Sequence, residues 1–112
     1  MKNSSFIFLQ PEYPELFTLT ELAEKLVSID PNSSLTKTRL FVEKLILLMG
    51  EFERYEFSPK DTPNIRINKL HAAGVFPDNV KSLLDTIRIA GNHATHNGDR
   101  TEKEAKHILK KL

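Results

Sequence analysis

A chain of 112 residues is long enough to bury one core and leaves little for a second domain. It contains no cysteine, which excludes disulfide frameworks, thiolate metal sites and cysteine nucleophiles. Sixteen Lys and Arg against 15 Asp and Glu give a net charge of +1, far from the basic balance of a domain whose affinity comes from nucleic-acid phosphates. 

The apolar run Phe6 to Leu9 is too short for a signal peptide or a membrane span, so a soluble, cytoplasmic protein is expected. Phe6, Ile7, Phe8 and Leu9 lead into Gln-Pro-Glu-Tyr-Pro, where two prolines break any regular element; the segment reads as an irregular arm packed on helices by its aromatics. A first helix is expected over about Glu15 to Ile29, with Leu16, Leu19, Leu22, Ala23, Leu26 and Ile29 as its apolar stripe. Asp30-Pro31 ends it, and Asn32, Ser33 and Ser34 are N-cap candidates for the next helix.

The second predicted helix, about Ser34 to Phe52, is the most apolar: Leu35, Val42, Leu45, Ile46 and Met49 share one face, and Leu40, Phe41, Leu47 and Leu48 lie behind. A helix apolar on both sides is either central in a bundle or a self-association surface, and a homodimer through those last four residues, or burial against the rest of a longer chain, is expected. Arg39 and Glu43, four apart, flank the first face. Residues 51–64 read as a connection, in which Tyr55 and Phe57 either close one end of the core or form a binding patch. A short helix over Ile65 to Ala73 stops at Gly74, Val75 and Phe76 pack inward, and Pro77-Asp78 opens the next helix.

That next helix carries the stretch Ile-Arg-Ile-Ala-Gly-Asn-His-Ala-Thr-His-Asn, Ile87 to Asn97. At 100° per residue, Val80, Leu83, Leu84, Ile87, Gly91 and Ala94 share an apolar face with the glycine near its centre. Glycine inside a helix costs about 0.5 to 1 kcal/mol relative to alanine, so its use there predicts a close helix approach. Arg88, Asn92 and His96 follow at intervals of four as a polar stripe beside that face, and His93 points nearly the opposite way. Either this stripe is a site or Gly91, Asn92 and Asn97-Gly98 merely wind the helix down. A capping box at Thr101 to Glu104 opens a last helix striped by Ala105, Ile108, Leu109 and Leu112; running uncapped to the final residue, it reads as the N-terminal fragment of a longer chain. His71, His93 and His107 have no metal-ligand spacing, and no phosphate loop, helicase motif or Ser-His-Asp order is found.

The pattern Arg88, Gly91, Asn92, Ala94, His96 (R-x-x-G-N-x-A-x-H) resembles the signature of a small helical domain family of uncharacterised function. That family is best known at the N terminus of type I restriction enzyme R (HsdR-type) subunits and related DEAD/DEAH-box helicases, and it looks like a branch of the HEPN superfamily. Ala23-Glu24, Asp30-Pro31, Arg39 and Glu43 align with further family positions, and the Phe-rich arm resembles the opening of the restriction-subunit branch. The resemblance implies an all-α, HEPN-like bundle of four to five helices in a single domain spanning residues 1–112, in which Arg39 or Glu43 meets Arg88, Asn92 and His96 in a partly buried network.

Two functions follow from it. One is a non-catalytic interaction domain that docks within a restriction complex or senses a nucleic-acid or nucleotide ligand, with no cofactor of its own; ATP and Mg are implied only for a parent chain that cleaves DNA while translocating. The other is a HEPN-type ribonuclease or toxin-like RNA-binding domain using Arg88 and His96, with histidine in acid–base catalysis and arginine stabilising phosphorane charge. Arg88 and His93 have the HEPN spacing but face apart on a continuous helix, whereas Arg88 and His96 share a side at a longer spacing.

Overall fold

The computed structural model describes residues 12–97 and 102–111, excluding the side chains of His96 and Asn97. The expected packing of the Phe6–Leu9 arm, the Thr101 cap and the last-helix position of Leu112 lie outside those residues. The fold is all-α, and the described residues form five helices: α1 (Pro14–Leu26), α2 (Pro31–Phe52), α3 (Pro63–Ala72), α4 (Asp78–Asn97) and α5 (Glu102–Leu109). 

Three of these helices start on a proline, whose missing N–H is one of the donors a first turn leaves unpaired in any case. Asp30 both ends the segment after α1 and caps α2, its carboxylate accepting from the Ser33 N–H at 3.2 Å and the Ser33 hydroxyl at 2.6 Å. These bonds from Ser33 hold the Asp30 carboxyl below the usual range. Helix α2 therefore begins earlier than Ser34, with Asp30 and not Asn32, Ser33 or Ser34 as its cap.

Helix α2 packs against all four others, which accounts for apolar residues on more than one of its sides. Leu35, Val42 and Ile46 are almost fully buried, and Phe41 joins them in the core with Leu84, Ile87 and Ala94 of α4 and Ile108 of α5. The burial of Phe41 removes it from the surface expected to self-associate; of the remaining three, Leu47 is exposed and Leu40 and Leu48 are half-buried.

The α1 stripe is rotated from the expected one. Leu16, Phe17, Thr20 and Ala23 are buried, with Val27 just beyond the helix, whereas Leu22 lies at the surface and Ile29, in the turn after the helix, is 82% exposed. The cause is a small-residue contact with α2: Ala23 admits Ser34, whose buried hydroxyl donates to the Ala23 carbonyl at 2.6 Å. Thr20 and Thr38, also buried, donate to the carbonyls of Phe17 and Ser34, so these polar groups enter the core already paired.

Helix ends are closed by backbone geometry. After α3, Gly74 takes φ +79, with Gly74 N–H donating to the His71 carbonyl and Val75 N–H to the Leu70 carbonyl, each at 3.0 Å. The same two-bond arrangement ends α2, but there Arg54 occupies the left-handed position at φ 56. The chain then turns back so that the Phe57 ring lies on Gly50; an alanine methyl there would come 2.5 Å from its edge. Tyr55 and Phe57, half-buried with ring centroids 5.4 Å apart, close the end of the core, and Arg66 lies over Phe57 at 5.6 Å. Phe76 is buried and Val75 half-buried, as expected from the sequence. His71 stacks near Phe76 and meets the Asp78 carboxylate at 2.6 Å, a packing role that ties the end of α3 to the start of α4.

Candidate functional site

The contact between α2 and α4 is set by Gly91. A Cβ at this buried position would overlap the Cβ of Arg39 and lie 2.9 Å from the Leu35 carbonyl oxygen. The missing side chain lets the backbone of α4 rest on the first turns of α2, as the mid-face glycine predicted. Farther along the same seam, Thr36 and Thr95 bring their hydroxyls within 3.0 Å of each other.

Because the Arg39 stem is pressed beneath Gly91, its head group extends along α2, where it makes a short ion pair with Glu43 one turn on. Arg88 lies across the seam on α4. Its guanidinium approaches Asp85 at 3.7 Å, and Asp85 is also held by Lys81 at 2.8 Å. The N-terminus of α3 faces the same space: Thr62 caps it through Oγ1 to the Ile65 N–H at 3.2 Å, followed by Pro63 and Asn64. Arg39, Glu43, Thr62, Pro63, Asn64, Arg88 and Asn92 thus line one cleft of about 310 Å³.

Four of the five residues singled out from the sequence meet here, although Arg39 and Glu43 are roughly half the chain away from Arg88 and Asn92. His96 belongs to α4 by its backbone, and its side chain lies outside the described residues. The arrangement differs from a single network. Glu43 bonds to Arg39 and Asp85 engages Arg88, and among the described residues no hydrogen bond joins the two pairs. The physical reason is reach: each guanidinium finds a carboxylate on its own helix within one turn. His93 is exposed on α4 and is not among the residues that line the cleft.

Sequence reasoning missed Asp85 and the contribution of α3. The signal for Asp85 was its spacing from Lys81 and Arg88, four and three residues on one helix. The signal for α3 was Thr62-Pro63, a capping residue followed by an N1 proline. Nearby, Asp61 bonds to Lys69 Nζ at 2.7 Å and accepts from the Ser58 N–H at 3.0 Å; the bond from Lys69 is the larger cause holding its carboxyl below the usual range.

The described lining offers two guanidinium groups, one carboxylate, two carboxamides and a hydroxyl. The guanidinium and carboxamide groups can bind and orient a polar or anionic group, and the Glu43 carboxylate can accept a hydrogen bond or a proton. Among the described residues no group of three or more His, Cys, Asp or Glu side chains is placed to hold a metal ion. No described helix is long and apolar enough to cross a membrane.

No curated protein and no solved structure matches the chain. Residues 21–112, which include α2, α3, α4, α5 and every residue lining the cleft, match a family described as Domain of unknown function (DUF4145). That match takes in most of the sequence, and the chain belongs to the DUF4145 family.

Proposed function

We propose that this domain is a non-catalytic interaction module, the helical accessory domain of a type I restriction enzyme R subunit or a related helicase, acting in the cytoplasm. Its part is recognition and docking within the larger enzyme, and ATP-driven translocation and Mg-dependent DNA cleavage belong to other domains of the parent. The observation that carries this reading is the α2–α4 cleft: residues of the R-x-x-G-N and R-x-x-x-E patterns converge there as ion-paired and hydrogen-bonding groups. Paired guanidinium groups and carboxamides are the chemistry of binding a partner group.

The ribonuclease alternative needs Arg88 to act together with His96. Incubation with labelled single-stranded RNA separates the two: the module leaves the RNA intact, whereas cleavage abolished by both Arg88→Ala and His96→Ala would replace it with a HEPN-type nuclease. The assignment to a restriction enzyme is tested by the natural polypeptide carrying this domain. Nuclease and helicase motifs are expected in it, and a natural polypeptide without either removes that part of the proposal.

A further inference from the structure

The Arg88 side chain is 16% exposed and that of Arg39 is 19% exposed, yet the Nε of each is buried without a hydrogen-bond partner. The Asp85 carboxylate stands 3.7 Å from the Arg88 guanidinium, beyond hydrogen-bond distance, and Asp85 Oδ1 is itself buried and unpartnered. Of the five N–H donors of the Arg88 guanidinium, the buried Nε–H is the one left without an acceptor, and an unpaired buried donor is costly. Asn92, one turn along α4, presents its carboxamide to the same cleft.

On the opposite wall Pro63 has no N–H, and the amides of Ile65 and Arg66 are taken by Thr62. The Asn64 N–H, in the first turn of α3, is the donor that helix geometry leaves over at that rim. Glu43, the one carboxylate in the lining, is neutralised by Arg39. Asp85, beside Arg88, is held by Lys81, so the cleft and its immediate surroundings keep a net positive charge, and donor groups reach it from α2, α3 and α4.

We propose that this cleft binds a single phosphoryl group. Arg88 would be the main anchor, with the Asn92 carboxamide and the Asn64 N–H on further oxygens and the Arg39–Glu43 pair as the supporting wall. Donors approaching from three elements match a tetrahedral anion better than a planar carboxylate. A guanidinium and a helix N-terminus are both established binders of phosphate oxygens. The chain's net charge of +1 argues against a long nucleic-acid track and for one terminal or free phosphate monoester. This inference rests on the reading of the cleft as a recognition site and names what it recognises.

The test is a titration of the 112-residue chain with inorganic phosphate against sodium chloride at matched ionic strength, followed by thermal melting and by amide NMR shifts. Saturable phosphate stabilisation is expected, with the largest shifts at the Asn64 amide and the Asn92 side chain. Arg88→Gln should weaken binding by at least about tenfold. Asn92→Ala should weaken it less, and Lys25→Ala, which removes a charge on α1 outside the cleft, should leave it unchanged.

Adenosine monophosphate and a short oligonucleotide with a 5′-phosphate or a 5′-hydroxyl then separate a free nucleotide from a nucleic-acid end. The proposal is overturned if wild-type amide shifts are absent or scattered over surface lysines, a readout that holds even if Arg88→Gln fails to fold. It is also overturned if Lys25→Ala weakens binding as much as Asn92→Ala. Loss of phosphate binding would leave a docking role standing. RNA cleavage dependent on Arg88 and His96 would instead remove the docking role and leave phosphate binding to be judged on its own shifts.

Discussion

Replacing Gly91 by alanine sets two effects of opposite sign against each other. Alanine gains about 1 kcal/mol of helix propensity over glycine in the middle of α4. Against this, the new methyl would overlap the Arg39 Cβ and approach the Leu35 carbonyl oxygen at 2.9 Å. Neither neighbour can escape by a rotamer change, since a carbonyl oxygen and a Cβ move only with the backbone of α2. The cost therefore falls at the upper end of overpacking penalties, about 3 kcal/mol. The net expectation is a loss of about 2 kcal/mol, which for a domain of this size lowers the melting temperature on the order of 10 °C. Urea unfolding followed by circular dichroism should show a lower midpoint with an unchanged slope. Gly74→Ala separates crowding from backbone strain: it has open space around it but φ +79, so it should lose about 1 kcal/mol through strain alone. Stability of Gly91→Ala equal to or above that of the parent would refute the close approach of α2 and α4.

Ser34→Ala removes the buried bond to the Ala23 carbonyl and should cost about 1 kcal/mol by urea denaturation, whereas the exposed Ser58→Ala should change little. Arg54→Gly should raise stability by about 0.5–1 kcal/mol, because a non-glycine residue at φ 56 is strained; a measured decrease would show that the Arg54 side chain matters more than its backbone. Asp30, Asp61 and Glu102 all have carboxyls held below their usual range: by bonds from Ser33, by the bond from Lys69, and by the bond from Lys106. A folded-state value below the unfolded one gives stability that is present above about pH 4 and lost as pH falls through the folded values. Urea midpoints should therefore drop below about pH 4, and Asp30→Asn should flatten that drop; a midpoint independent of pH from 6 to 3 would contradict it.

The parts of the fold that are legible in the sequence are local. α4 was readable in detail because its glycine, its polar stripe and its apolar face all follow the period of one helix. Boundaries were read less well where one residue serves two elements. Asp30 ends the segment after α1 and also caps α2, and Pro31 is a helix start as much as a helix stop. The burial of Phe41 and the exposure of Leu22 could not be read, because leucine and phenylalanine on several sides of a helix satisfy the pattern for more than one orientation.

By itself the amino-acid order determined the helical class, the close approach at Gly91 and the candidate status of Arg39, Glu43, Arg88 and Asn92, since each depends on spacing within a helix turn. Only the tertiary structure decided which neighbour each of them has. Gly91 presses on the Arg39 stem and the guanidinium turns to Glu43; α3 brings its N-terminus to the opposite wall, and Arg88 is left lining the cleft with its Nε–H unpaired. Such pairings join residues far apart in the chain, and they follow from how whole helices pack and not from any period within one of them.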